Sequence, residues 1–223
     1  WAIQVPGYEH TYSRNQLVLD FSNKEVVAYI KQVLDDLLGN HEIDYIKWDM
    51  NRYMTEPFGR ELPCDRQGEF MHRYILGVYK LYDRLTKKFP HVLFESCASG
   101  GARFDPGMLY YAPQTWTSDD TDANERTKIQ YGTSYMHPVV SMGSHVSAVP
   151  NHQMYRTTPI STRAAVAYFG TFGYELDLNL LSDEEIEAVK SQVKFMKEHR
   201  ELIQIKGDFY RILSPFEHND TAW

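Results

Sequence analysis

The sequence predicts an α/β fold built on a parallel sheet, and two further observations favour a closed (β/α)8 barrel. Short apolar runs alternate with amphipathic helical patterns along the 223 residues, which is typical of repeated strand–helix units. Ionisable residues fall where the predicted strands end, and a barrel collects such residues at the carboxyl ends of many strands. An open doubly wound sheet usually carries a glycine-rich phosphate turn, and the chain has neither G-x-G-x-x-G nor a P-loop.

The first half of the chain predicts three strands and two helices. The strands are the apolar runs at residues 17–21, 43–49 and 92–94. Ser22 and Glu25 have the spacing of a capping box, so the first helix is expected to begin there and to stop at Gly39. A polar loop at residues 50–67 leads to the second helix, which carries apolar residues at helical spacing and ends before Pro90.

The second half continues the alternation with weaker signals. Strands are predicted at residues 114–117, 144–149 and 174–178. Helices are predicted after Asp122, at residues 162–169, and after Ser182 to about residue 199. About six strands are therefore present where a barrel has eight, so we expect a partial barrel that comprises strands 3 to 8.

Composition limits the classes of function and partner. The formal net charge is −7 and the isoelectric point is about 5.7, so a basic surface for nucleic acid is not expected. No apolar run has the length of a membrane span. Cys64 and Cys97 lack disulfide or zinc spacing, which predicts free thiols in a reducing, cytoplasmic compartment. The chain starts without an initiator Met or a signal peptide, so we expect it to begin within a longer protein.

Catalytic chemistry is first indicated by the string YIKWDMNR at residues 45–52. Side chains alternate along a strand, so Lys47, Asp49 and Asn51 are expected on one face. Lys47 would keep Asp49 ionised by opposite charge, as a carboxylate nucleophile requires. The alternative is a structural Lys–Asp pair at the entrance of a loop.

The string WTSDDTD at residues 116–122 supplies a second group of acids. Crowded carboxylates raise one another's pKa, so one of them can stay protonated and act as a general acid. Helix capping explains Asp122, and the pattern does not choose between Asp119 and Asp120. An acidic loop or a calcium site is the alternative, although the spacing is not that of an EF-hand.

Two other features carry weaker chemical signals. Adjacent glycines follow the third predicted strand, where a backbone can approach a ligand closely. Cys97 has no histidine near it in the sequence, which argues against a thiol protease. The spacing of His137, His145 and His152 matches no zinc signature, so they are interpreted as structural and no metal or cofactor is predicted.

Three strings together resemble α-galactosidases of glycoside hydrolase family 36: YIKWDMNR, FESCASGGARFDPGMLYYAPQTWTSDDTDA and MGSHVSAVPNHQ. The resemblance implies that Asp49 is the nucleophile and Asp119 the acid/base of a retaining hydrolase that needs no cofactor. It further implies a galactose-binding subsite formed by Arg14, Lys47, Asn51, Cys97 and Gly100. Cys97 and Gly100 would lie near the 2-hydroxyl of the sugar.

The resemblance also implies what surrounds this chain. Members of the family are longer, with a β-sandwich before the barrel and a small β domain after it. We therefore expect residues 1–205 to be an N-terminally truncated catalytic barrel and residues 206–223 to start the C-terminal β domain. The expected substrates are α-galactoside oligosaccharides such as melibiose and raffinose, and the longer protein is expected to form a homo-oligomer.

Other functions stay open from the sequence. An α-N-acetylgalactosaminidase or a raffinose-synthase-like galactosyltransferase can use the same two aspartates on the same scaffold. A non-catalytic sugar-binding module is disfavoured because both candidate aspartates are present. A phosphate-handling α/β enzyme is disfavoured because the chain lacks a phosphate loop.

Overall fold

The computed structural model describes residues 1–223 and has an α/β architecture with parallel strands. The chain forms two compact units, Trp1–Pro113 and Gln114–Trp223. Both contain a pair of parallel strands joined through a helix. The predicted class of α/β fold with parallel strands is therefore confirmed.

The first unit is built on two parallel strands. Its elements are helix α1 (Lys24–Asn40), strand β1 (Tyr45–Trp48), a 3₁₀ turn (Cys64–Glu69), helix α2 (Phe70–Lys88), strand β2 (Leu93–Ser96) and helix α3 (Pro106–Tyr111). β1 and β2 pair along their full length, with Lys47 opposite Glu95. The pairing brings the loops that follow the two strands to the same edge of the sheet.

Helix α2 supplies most of the core of this unit. Its inward face buries Tyr74, Leu81 and Tyr82 almost completely. The ring of Trp48 on β1 lies 4.9 Å from that of Tyr82, centroid to centroid. Burial of several large side chains fixes β1 against the helix, since each stabilises the fold by about 1.5 to 3 kcal/mol.

Two predicted features of the first unit are wrong in detail. Asn23 caps α1 by accepting from the Glu25 amide at 2.7 Å, while the hydroxyl of Ser22 donates to Asp20 instead. The predicted strand at residues 17–21 is reduced to an antiparallel bridge between Ala2 and Leu19. Strand pairing needs an extended partner, and within this unit residues 17–21 pair only with the short segment at residues 1–3.

Helix α3 was missed by the sequence prediction although its signal is present. Asp105 accepts from the amide of Met108 at 2.8 Å, and Pro106 occupies the first turn. An aspartate followed by proline is a common start of a helix. The short length of α3 explains why periodicity did not reveal it.

The second unit repeats the alternation. Its elements are strand β3 (Gln114–Thr115), helix α4 (Ala123–Thr133), a 3₁₀ turn (Val139–Ser141), strand β4 (Gly143–Ser147), helix α5 (Ile160–Ala167), strand β5 (Thr171–Glu175), a 3₁₀ turn (Leu178–Leu180), helix α6 (Asp183–Glu201) and a π-helical turn (Leu202–Lys206). β4 and β5 pair in parallel. Thr115 of β3 forms a parallel bridge with Met142. Val146, Ala164 and Ala167 form the buried centre between β4 and α5.

Helix caps in this unit follow the prediction, whereas one strand differs. Asp122 accepts from the amides of Asn124 and Glu125, and Ser182 forms a complete capping box with Glu185. β5 ends at Glu175 rather than at residue 178, because Asp177 caps the 3₁₀ turn that follows. The extent of a C-terminal β domain at residues 206–223 stays a prediction.

Candidate active site

Asp49 lies immediately after β1, and the strand determines where its side chain points. Ile46 and Trp48 face the core, whereas Lys47 and Asp49 are exposed on the opposite face. This alternation is that of an extended chain with one buried face. A cavity of about 360 Å³ borders Lys47, Asp49 and Asn51.

The neighbours of Asp49 favour its ionised form. Partial burial raises the pKa of the carboxyl, but hydrogen bonds from the Cys97 thiol, the Ser99 amide and the Asn51 side chain lower it below its usual value. The Ser99 amide lies 3.4 Å from Oδ1 of Asp49. Donors that point at a carboxylate stabilise its charge, so Asp49 is held as a carboxylate suited to nucleophilic attack.

The loop after β2 presents two of these donors, Cys97 and Ser99, and has an unusual backbone. The pairing of the two strands continues past their ends, with the Cys97 amide donating to Trp48 at 3.0 Å. Ser99 and Gly100 then both have positive φ, 50° and 86°. Residues other than glycine rarely adopt this conformation, and residues held in it cluster at functional sites. Here it aims the Ser99 amide at Asp49.

Cys97 acts in this site as a neutral donor. The side chain is buried, and burial raises the pKa of the thiol to about 11. A thiol rather than a thiolate is therefore present at neutral pH, which agrees with the prediction that Cys97 is no protease nucleophile. Cys64 is also free and is exposed, so the prediction of two free thiols is confirmed.

The role expected for Lys47 in keeping Asp49 ionised stays a prediction. Nζ of Lys47 lies 3.7 Å from Oε1 of Glu95, its partner in the strand register. Hydrogen bonds are the main interactions that lower the pKa of Asp49. Glu95 also accepts from the hydroxyl of Tyr45, and burial raises the pKa of Glu95 to about 7. Sequence spacing could not reveal Glu95 as the partner of Lys47, because Glu95 lies on the neighbouring strand.

Arg14 and Asn51 come together beside this site. Nη1 of Arg14 donates to Oδ1 of Asn51 at 2.7 Å, across 37 positions of the chain. Asn51 also donates to Asp49. The first unit thus links Arg14, Asn51, Asp49 and Cys97 through hydrogen bonds, with Gly100 in the loop beside them. Sequence reasoning missed Ser99, for which the adjacent glycines were the available signal.

In the second unit, the acidic string separates into structural carboxylates and one free carboxylate. Oδ1 of Asp120 accepts from the Asp122 amide at 3.0 Å, and Asp122 caps α4. Arg156 also donates to Asp122. The carboxylate of Asp119, which is partly buried, accepts no hydrogen bond. The structure therefore favours Asp119 over Asp120 as the carboxyl group that remains available for chemistry.

The strand end before Asp119 is rigidly packed. The ring of Trp116 is covered by Arg126, whose guanidinium carbon lies 4.2 Å from the ring centroid. The ring of His145 stacks on the same indole at 4.7 Å. Arg126 also donates to Thr117 at 2.8 Å. These contacts fit the interpretation of His145 as a structural histidine.

Comparison with known proteins assigns the family. The sequence profile of the Melibiase family matches residues 1–206. The chain belongs to the melibiase family. Among curated melibiase relatives, the α-galactosidase AgaA of Geobacillus stearothermophilus is 55% identical over all 223 residues, and α-galactosidase 1 of Pediococcus pentosaceus is 51% identical. The chain spans about 30% of the length of each.

Solved structures give the same assignment for this melibiase chain. The crystal structure of GH36 α-galactosidase AgaA matches the whole chain with a TM-score of 0.95 and 55% identity, and the match covers 31% of that protein. The α-galactosidase of Lactobacillus brevis matches 98% of the chain with a TM-score of 0.93 and 57% identity, over 29% of its own length. The predicted resemblance to family 36 α-galactosidases is therefore confirmed.

Two other geometric findings bear on this melibiase chain. No group of three or more His, Cys, Asp or Glu side chains is arranged to hold a metal ion. Each helix is too short or too polar to span a lipid bilayer.

Proposed function

We propose that this chain is the catalytic part of a retaining α-galactosidase and forms strands 3 to 8 of a (β/α)8 barrel. The observation that carries the proposal is the Asp49 carboxylate, held ionised at a strand end by four hydrogen-bond donors. The curated relatives, named α-galactosidases, support the substrate class. The longer protein is proposed to release terminal α-linked galactose from oligosaccharides such as melibiose and raffinose.

The proposed mechanism is a double displacement. Asp119 protonates the glycosidic oxygen while Asp49 attacks the anomeric carbon through an oxocarbenium-like transition state. Water, deprotonated by Asp119, then releases galactose from the covalent intermediate. Two inversions leave the configuration at the anomeric carbon unchanged.

Two complexes of one relative, AgaA, with oligosaccharides support the choice of aspartates. The AgaA complexes with raffinose and stachyose carry an Asp→Asn and an Asp→Ala substitution, respectively, at positions 70 residues apart. Asp49 and Asp119 have the same separation in this chain. Substitution of a catalytic carboxylate is one way to keep an oligosaccharide intact on the enzyme.

The sugar is proposed to bind through Arg14, Lys47, Asn51, Cys97 and Gly100. Arginine, lysine and amide side chains donate hydrogen bonds to sugar hydroxyls, and the Arg14–Asn51 contact provides two such groups side by side. The compact loop at Cys97 and Gly100 would favour a 2-hydroxyl over the bulkier N-acetyl group. We further propose that the longer protein is cytoplasmic and homo-oligomeric, and that residues 206–223 start its C-terminal β domain.

Substitution of the two aspartates in the full-length protein tests the mechanism. Asp49→Gly should abolish hydrolysis of nitrophenyl α-galactoside, and azide should restore turnover with a galactosyl azide of β configuration. Asp119→Gly should keep activity on substrates with good leaving groups, which need little protonation. Asp44→Gly, at the opposite end of β1, is the matched control and should remain active. An α-configured azide product from Asp49→Gly would show that another group is the nucleophile.

Substrate comparison separates the proposal from the related functions. An α-N-acetylgalactosaminidase would prefer the nitrophenyl glycoside of N-acetylgalactosamine to that of galactose. A galactosyltransferase would yield a longer oligosaccharide from raffinose instead of free galactose. The proposal predicts free galactose as the main product from both raffinose and the nitrophenyl galactoside.

A further inference from the structure

Arg14, which is proposed to bind the sugar, lies in a strained turn. The backbone of Ser13 pairs with that of Gln16, and the two residues between them, Arg14 and Asn15, have φ values of 51° and 57°. Two positive φ values in a two-residue connection are typical of a type I′ turn, in which glycine and asparagine are usual. Arginine is unusual there, so contacts elsewhere must hold this conformation.

The contact of Arg14 with Asn51 is not enough to hold the turn. Residues 11–17 are all exposed, and the Arg14–Asn51 hydrogen bond is itself at the surface. Exposed polar contacts contribute little to stability because water competes for both groups. The turn therefore needs a buried anchor.

Arg52 provides a buried anchor for the segment that leads into the turn. The residue is only 2% exposed, and its guanidinium donates to the backbone carbonyls of Thr11 and Tyr53. Thr11 lies two residues before the Ser13–Gln16 pair, whereas Tyr53 follows Asn51 and Arg52 in the loop after β1. One guanidinium thus ties together the two segments that carry Arg14 and Asn51.

Glu56 completes this anchor by balancing the buried charge. Oε1 of Glu56 lies 2.6 Å from Nη2 of Arg52. Glu56 also accepts hydrogen bonds from Thr11 and Thr55. A buried guanidinium is costly unless it is paired, so Glu56 allows Arg52 to occupy this position.

We propose that Arg52 is a positioning residue that, with Glu56, holds the Ser13–Gln16 turn so that Arg14 and Asn51 contact the sugar together. The inference rests on the proposed function, because it assigns Arg52 a role in binding the galactosyl group through Arg14. Arg52 itself does not need to touch the substrate. Its planar fork reaches two carbonyls and a carboxylate at once, which a lysine cannot reproduce.

Kinetics of Arg52→Lys in the full-length protein test the proposal. Because Arg14 is proposed to contact the sugar in both the ground state and the transition state, misplacing it should raise KM and leave kcat nearly unchanged. We expect KM for nitrophenyl α-galactoside to rise about tenfold, as for the loss of one hydrogen bond to a charged group. Damage to folding alone would lower kcat per total protein and leave KM unchanged.

A double-mutant cycle asks whether Arg52 acts through Arg14. In an Arg14→Ala background, Arg52→Lys should raise KM by no more than about twofold, because the group that it positions is already absent. If the two increases in KM multiply, or if Arg52→Lys lowers kcat at constant KM, the proposal is wrong. If Arg52→Lys does not fold, the same double-mutant cycle is made with Glu56→Gln in its place. Glu56→Gln alone is expected to raise KM about threefold.

Arg163→Lys is the matched control for the chemical change. Arg163 is also buried, donates to the carbonyls of Thr158 and Ser147 and pairs with Glu185. Its substitution should lower the melting temperature without raising KM, and an equal rise in KM would contradict a specific role for Arg52.

Failure of the positioning role of Arg52 can be distinguished from failure of the proposed α-galactosidase function. If the full-length protein does not turn over α-galactosides, the proposed function is wrong. The Kd for galactose, measured by calorimetry, then replaces KM in the same cycle of Arg14 and Arg52 variants. Weaker galactose binding by Arg52→Lys that disappears in the Arg14→Ala background would support the positioning role, and unchanged binding would overturn it.

Discussion

Replacing Cys97 by alanine tests whether hydrogen bonds keep Asp49 ionised. The thiol is buried, and burial raises its pKa to about 11, so at neutral pH it is a proton donor rather than a charge. Its hydrogen bond is among the interactions that lower the pKa of Asp49. Removing the donor should therefore raise the pKa of Asp49 toward its usual value.

The expected size of the change follows from the type of contact. A buried hydrogen bond to a charged group stabilises by about 1.5 to 3 kcal/mol, but a thiol is a weak donor and the exposed Asp49 is partly screened by water. We therefore expect a loss of about 0.7 kcal/mol, which corresponds to about half a pKa unit. The Ser99 amide and Asn51 remain as donors.

The assay is the pH dependence of kcat/KM for nitrophenyl α-galactoside with the full-length protein. The ionised form of Asp49 is the active one, so activity is lost as the pH falls through its pKa. A raised pKa therefore moves the acidic limb to higher pH by about half a unit. Cys97→Ser keeps a donor at this position and should not move the limb to higher pH. If the alanine variant shows no shift, or the serine variant shows the same shift, the thiol is not what holds Asp49 ionised.

Two further predictions concern stability. Burial raises the pKa of Glu95 from 4.5 to about 7, so between these values the folded state holds a proton that the unfolded chain has lost, and stability falls as the pH rises through this window. Glu95→Gln should remove this dependence, which amounts to about 2 kcal/mol between pH 5 and pH 7 in denaturation experiments; an unchanged dependence would contradict the assignment. Ser182→Ala should cost about 1 kcal/mol at the α6 capping box and speed amide exchange of its first turn about fivefold. Ser191→Ala, on the exposed side of the same helix, should change neither the stability nor the exchange of that turn. Equal effects of the two substitutions would mean that the cap is not responsible.

The sequence by itself determined the α/β class, the family and the candidate aspartates. Long helices were predictable because their apolar spacing and caps are local, as at Asp122 and Ser182. The position of Asp49 was predictable because it directly follows an apolar strand. Strand limits were less certain, since a strand such as β5 extends only as far as its partner pairs with it.

Only the tertiary structure decided which groups surround the candidate residues. Lys47 lies beside Glu95 of the neighbouring strand, Ser99 turns its amide toward Asp49, and Arg52 joins segments that lie about 40 residues apart. Such contacts depend on strand register, on positive φ angles and on burial. These properties arise when distant parts of the chain pack together, so no local pattern encodes them.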